Sequence, residues 1–389
     1  MQACAAAHGL EAEGVGVTQP LAPPLARSTT LHGLRGALAF ALFLFHVANS
    51  GLDRPQGLAA DALDHVLRCL EFGVELFFCI SGVVILQSFR SSPTLFDFAW
   101  NRVTRIYPVL WVTVSVIAVL SVFKGVPRPS LEVWVANLFA LPPLLPIPLI
   151  HPAAWSISYE FAFYGLFVVH ALLNRWMPGP MARAILIALV VGLILTHLRA
   201  ACFLVGLALV WRPPAEAAPL VQKAMSRPGL WLSLALLAWY EAFERWDLPW
   251  SVSHLPDQPL WVSCVALSYL SLGIGFAYLG MGGILLQAGT VSRWLKSPTL
   301  QWLGTISFSL YLWQTIVMAL VKHAMSRVGL TDAVGDGAQF WFFALSLAPT
   351  LLVSHLSQRW LEDTLTKKMR RAVRPVNASS VRCPQGDNT

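Results

Sequence analysis

The sequence predicts an all-α integral membrane protein with about ten transmembrane helices. Two observations carry that expectation. Of 389 residues, 56% are hydrophobic and 12% are charged, against about 25% charged in an ordinary soluble domain. The mean hydropathy is +0.61, and the apolar residues fall in runs close to the roughly 20 that an α-helix needs to cross a bilayer. A net charge of +7 would suggest nucleic acid in a soluble chain. Here the basic residues sort by side of the membrane, and no nucleic-acid partner is expected.

In chain order, the apolar runs lie at 34–52, 66–89, 106–123, 153–172, 182–198, 200–212, 228–243, 260–286, 298–321 and 338–358. The pair 182–198 and 200–212 is short, and reads either as a hairpin or as two tilted helices. The stretch 131–150 is also apolar, but Pro142, Pro143, Pro146 and Pro148 remove amide donors and break any helix. It is expected to be a re-entrant or interfacial segment before the fourth crossing. With both termini cytoplasmic, roughly nineteen of the Lys and Arg residues face inward, including Arg102, Arg105 and the run from Lys367 to Arg374.

The expected organisation is a disordered cytosolic tail over 1–30, a transmembrane domain over 31–365 and a basic cytosolic tail over 366–389. Residues 1–30 lack the basic and apolar regions of a signal peptide. The sequon Asn377-Ala378-Ser379 is expected to be fortuitous on the cytosolic side. The cysteines form no CxxC pair, so they read as small hydrophobes, and no metal site is expected.

Polar residues inside these runs are the functional candidates, because lipid tolerates them only for a reason. Arg35 and His46 are separated by three helical turns, so they share a face roughly 16 Å apart along the axis. The imidazole can handle a proton at neutral pH; a hydrogen-bonded packing histidine with a snorkelling arginine is the structural alternative. Glu71 and Glu75 lie one turn apart, and Glu75 is the deeper. Arg102 and Arg105, at i and i+3 before Tyr107-Pro108, offer planar guanidinium forks suited to phosphates or to lipid headgroups. Trp155-Ser156 precedes a buried Glu160, able to orient or discharge an imidazole. Ser307, Tyr311 and Gln314 share a polar face on a late helix; intramembrane Ser and Gln also serve helix packing.

Taken together, these segments resemble the acyltransferase 3 family of bacterial membrane O-acyltransferases. LHGLRGALAFALFLFHVANSG resembles the family's first helix with its Arg, ten residues, His signature at Arg35 and His46. GVELFFCISGVVI, NRVTRIYPVLW, WSISYEFAFY, LGTISFSLYLWQ and RWLEDTLTKK resemble its later elements in order. Gln314 stands where many relatives have His, and Thr364 where the closing motif often has Pro. Glutamine hydrogen-bonds but does not titrate.

The resemblance implies acyl transfer at the bacterial cytoplasmic membrane, from cytosolic acyl-CoA, acetyl-CoA foremost, to a hydroxyl of a surface polysaccharide or lipid-linked sugar. Acyl-CoA would be a co-substrate, with no permanently bound cofactor. Arg35, Arg102, Arg105 and Tyr107 would receive the CoA moiety. His46 would be the general base, with Glu75 or Glu160 fixing its tautomer. Ser81, Trp155, Ser156, Tyr311 and Gln314 would support the site. A proton-coupled transporter or flippase using His46, Glu75 and Glu160, and a catalytically inactive family member, are the competing readings.

Overall fold

A computed structural model describes residues 28–373 apart from 124 and 126. The N-terminal tail up to residue 27, the sequon at Asn377, and Cys4 and Cys383 lie outside the described residues. All regular structure among the described residues is helical, as the apolar runs predict. Helix α1 (Thr29–Ala48) precedes α2 (Leu58–Cys69), which turns through Leu70–Phe72 into α3 (Gly73–Ser91). Next come α4 (Leu95–Phe123), with Pro108 in its interior, and the short α5 (Leu131–Leu138). Helices α6 (Ala154–Trp176) and α7 (Gly179–Thr196) follow. A tight turn over Leu198–Ala201 then leads to α8 (Cys202–Trp211).

The second half contains α9 (Pro219–Met225), α10 (Pro228–Tyr240), α11 (Leu260–Leu285), α12 (Gly289–Leu295) and α13 (Pro298–Arg327). It closes with α14 (Leu330–Val334), α15 (Ala338–Ser357), a π-helical stretch over Gln358–Leu365, and α16 (Thr366–Val373). Eight helical stretches among the described residues are long and apolar enough to cross a membrane. Ten were expected. The difference lies at 200–212 and 228–243, which form α8 and α10 of 10 and 13 residues. The first continues the helical turn Leu198–Ala201, and the second runs on through a π-helical turn at Glu241–Arg245 whose charges set it apart from the eight.

Close helix contacts depend on glycine, since without hydrophobic driving force in lipid the backbones must touch to gain dispersion and polar contacts. Helices α1 and α13 run parallel and interlock at Gly36 and Gly304: a Cβ on Gly36 would meet Gly304 N at 2.5 Å, and one on Gly304 would meet His32 O at 2.3 Å. Helices α3 and α8 also run parallel, meeting where a Cβ on Gly82 would lie 2.3 Å from Phe203 O. These two crossings flank the centre of the bundle. We call the side of the bundle at the α1 N-terminus the near end and the opposite side the far end.

The Pro-rich segment is α5 followed by irregular chain. Its backbone polar groups are met from within the protein. Asn137 Nδ2 donates to Pro148 O at 2.9 Å, and its Oδ1 accepts from Ile150 N at 2.8 Å. Trp111 Nε1 donates to Leu138 O at 3.0 Å, and Ser158 Oγ donates to Pro142 O. Buried His151 ties the end of this segment to α13. Its Nε2 donates to Leu312 O at 3.0 Å, while Nδ1 accepts from Ala153 N at 3.2 Å. Residues 366–373, expected as the start of a tail, are helical and docked on α4: Thr366 Oγ1 donates to Thr104 O at 2.6 Å, and Arg370 Nη2 donates to Asn101 O at 3.1 Å.

Candidate functional site

Helices α1, α3, α4, α6 and α13 line a cavity of about 90 Å³ in the near half of the bundle. Arg35 from α1 and both Arg102 and Arg105 from α4 line it, together with Ser81, Ser156, Glu160 and Tyr311. Their convergence follows from helical spacing: Arg102 and Arg105 stand at i and i+3 on one face, and the Gly36 contact with α13 sets the neighbouring Arg35 beside them. All three guanidinium groups are half-buried.

Arg102 is fixed, its Nη2 donating to Ser88 Oγ at 2.6 Å and its guanidinium carbon lying 5.7 Å from the Tyr164 ring centre. Among the described residues, Arg35 and Arg105 form no ion pair and no side-chain hydrogen bond. Glu160 is the cavity's one lining carboxylate. Its Oε1 accepts from Ser81 Oγ at 3.0 Å and from the Tyr164 hydroxyl. Glu362, held by Ser309 Oγ at 2.6 Å, is a second carboxylate close enough to act on Arg35 and Arg105, so three cations face two anions and the surplus of positive charge in a partly desolvated space favours an anionic ligand. At the cavity's inner limit, the Tyr311 hydroxyl donates to Ala153 O at 2.9 Å and lies 2.8 Å from Ser156 Oγ.

The other predicted site residues lie elsewhere. Tyr107 points to the Pro-rich segment, its hydroxyl donating to Phe139 O at 3.3 Å. His46 is half-buried, does not line the cavity, and makes no hydrogen bond to a described residue. Leu42, one turn nearer the cavity on the same face, is 2% exposed and packs against Gly73. Gln314 is fully buried, with neither amide atom hydrogen-bonded. It lies ten residues beyond Gly304, as His46 lies ten beyond Gly36. On parallel helices that places both about 15 Å past the crossing, at one level.

Glu75 is not beside His46. It is fully buried and ion-paired to Arg199 Nε, while Arg199 Nη1 donates to Glu71 Oε1 at 3.2 Å. Arg199 is itself 2% exposed and lies 5.0 Å from the Trp155 ring centre. Sequence reasoning missed this residue. Its signal was a lone Arg flanked by His197 between two apolar runs, but a hairpin tip is a place where charge is ordinary, and nothing local points to an acid 124 positions earlier.

Comparison with known proteins decides the family. A family model described as an acyltransferase domain, acyltransferase 3, matches residues 29–358. The chain belongs to the acyltransferase 3 family. It is 28% identical over 321 residues to the exopolysaccharide production protein ExoZ of Rhizobium meliloti, covering 76% of this chain and 89% of that protein. It is also 32% identical over 164 residues to the acyltransferase MdmB of Streptomyces mycarofaciens, 40% of this chain and 42% of that protein. No solved structure matches significantly. The chain is thus a multi-pass membrane protein of an acyltransferase family, and its first-helix Arg and His, its paired arginines and its Glu160 all lie within the matched span.

Proposed function

We propose that this protein transfers an acyl group, acetyl foremost, from cytosolic acyl-CoA to a hydroxyl of a surface polysaccharide or lipid-linked sugar at a bacterial cytoplasmic membrane. The observation that carries this reading is the cavity in which Arg35, Arg102 and Arg105 meet, none of them ion-paired among the described residues. CoA brings phosphates that suit guanidinium forks, and its narrow pantetheine arm suits the space beyond them. The name of ExoZ supports a polysaccharide acceptor.

In this mechanism, the phosphates engage the arginines at the near end, and the thioester extends past Ser156 and Tyr311 toward the level of His46 and Gln314. His46 takes the proton of the acceptor hydroxyl as its oxygen attacks the thioester carbon. The carbon–sulfur bond breaks, and the imidazolium returns the proton to the CoA thiolate. Glu160, held by Ser81 and Tyr164, adds negative charge beside the arginine set rather than at the imidazole.

The test uses purified protein in nanodiscs, acetyl-CoA, and surface glycan from the source cells stripped of esters by mild base. Wild type is expected to release CoA only when the glycan is present, and His46→Ala to lower that rate by about 10²- to 10⁴-fold while binding acetyl-CoA normally. Full activity of His46→Ala would remove the general-base assignment.

A further inference from the structure

Behind the inner wall of the cavity, toward the far end, stands a second polar site of different charge. Arg199, Glu75 and Glu71 form a triad of two acids and one base. His197 stacks on Trp155 with ring centres 4.9 Å apart and planes 2° from parallel, and Trp250 lies 5.3 Å from the same imidazole. Two members reach the surface: Trp250 is 51% exposed, and the Glu71 side chain is 26% exposed. Behind them, Arg199 Nη2, Glu75 Oε2 and both ring nitrogens of His197 are buried and make no hydrogen bond. Buried polar groups are nearly always partnered, and each unmet one costs about 1–3 kcal/mol. Four in one cluster signal hydrogen-bonding capacity kept for something other than the fold.

We propose that this cluster is a binding subsite for a neutral sugar, the acceptor of the transfer reaction, and the proposal rests on the O-acyltransferase reading above. The chemistry fits a polyol in three respects. An excess of one carboxylate repels anions, so a phosphorylated ligand is disfavoured here while it is favoured in the arginine cavity. Indole faces accept the C–H side of a pyranose by dispersion, and their amphipathic rings work at a wet boundary. Carboxylates accept from hydroxyls and guanidinium donates to them, so Glu71, Glu75 and Arg199 can satisfy adjacent hydroxyls at once.

Position supports the assignment too. Trp155 immediately precedes Ser156 on α6, and Phe78 of α3 packs edge-on against the Trp155 ring with centres 5.8 Å apart; Ser156 and Phe78 both line the arginine cavity. A sugar on Trp250 and Glu71 therefore sits across one side-chain layer from the thioester end of the donor.

The experiment measures CoA release from acetyl-CoA against the concentration of the same base-stripped surface glycan. Trp250→Ala is expected to raise the half-saturating glycan concentration about tenfold, with acetyl-CoA affinity and melting temperature unchanged. Trp250→Phe is expected to stay within about threefold of wild type, and Glu71→Gln to fall between. An unchanged half-saturation in Trp250→Ala would overturn the subsite, as would a parallel loss of acetyl-CoA affinity or melting temperature, which marks a scaffold role. Absence of glycan-dependent CoA release in wild type would instead defeat the O-acyltransferase reading itself.

Discussion

The arginines of this protein are treated in opposite ways at its two ends. Near the α1 N-terminus, Arg35, Arg102 and Arg105 share a cavity with the single carboxylate of Glu160 and are only half-buried. At the far end Arg199 is 2% exposed, ion-paired to Glu75 and Glu71 and surrounded by aromatic rings. A guanidinium without a countercharge in a partly desolvated space is costly unless an anion arrives, so the first set is arranged for a ligand. A guanidinium whose charge is already met can be buried completely and braces the helices around it. The contrast separates a positive, partly exposed end from an acidic, aromatic and buried one.

Substitutions at each end should therefore fail in different ways. The largest effect is expected for Arg199→Ala, which strands a fully buried carboxylate. Removing one partner of such a pair costs about 3–5 kcal/mol, read as a fall in melting temperature in nanodiscs. Its acetyl-CoA affinity, measured well below that temperature, should stay within about threefold. An unaltered melting curve would erase the distinction drawn here.

Arg105→Ala should do the reverse. A lost charge-assisted hydrogen bond costs about 1.5–3 kcal/mol, so acetyl-CoA should bind roughly 10- to 100-fold more weakly by calorimetry, with the melting temperature unchanged. The smallest effect sharpens the comparison. Glu160→Gln removes the anion that lines the cavity beside the cations, and acetyl-CoA should bind about threefold tighter, in line with the modest worth of a partly solvated charge pair. Weaker binding would mean that Glu160 orients the arginines more than it neutralises them.

Much of this arrangement was legible in the sequence. The long apolar runs marked α1, α3, α4, α6, α11, α13 and α15, and the polar residues within and beside them marked eight of the cavity's lining positions, because lipid makes such residues conspicuous. Helical spacing placed Arg102 and Arg105 together. It did not place Glu75, which shares a depth range with His46 but turns to Arg199. Depth along an axis is readable from residue number, whereas the neighbour across the bundle is set by which helices cross at Gly82 and Gly36. The helices α8 and α10, read as crossings, fall outside the eight long apolar stretches because α8 is short and α10 runs into the charged turn Glu241, Glu244 and Arg245.

The docking of α16 on α4 has a consequence for biosynthesis. The rim of the arginine portal is tied by Thr366 to Thr104 and by Arg370 to Asn101, joining one of the earliest helices to leave the ribosome with the last described one. During translation α4 must wait in the bilayer for α16 before its rim is secured. A nascent chain stopped short of Thr366 would carry every lining arginine and still lack the clasp that holds two of them in register.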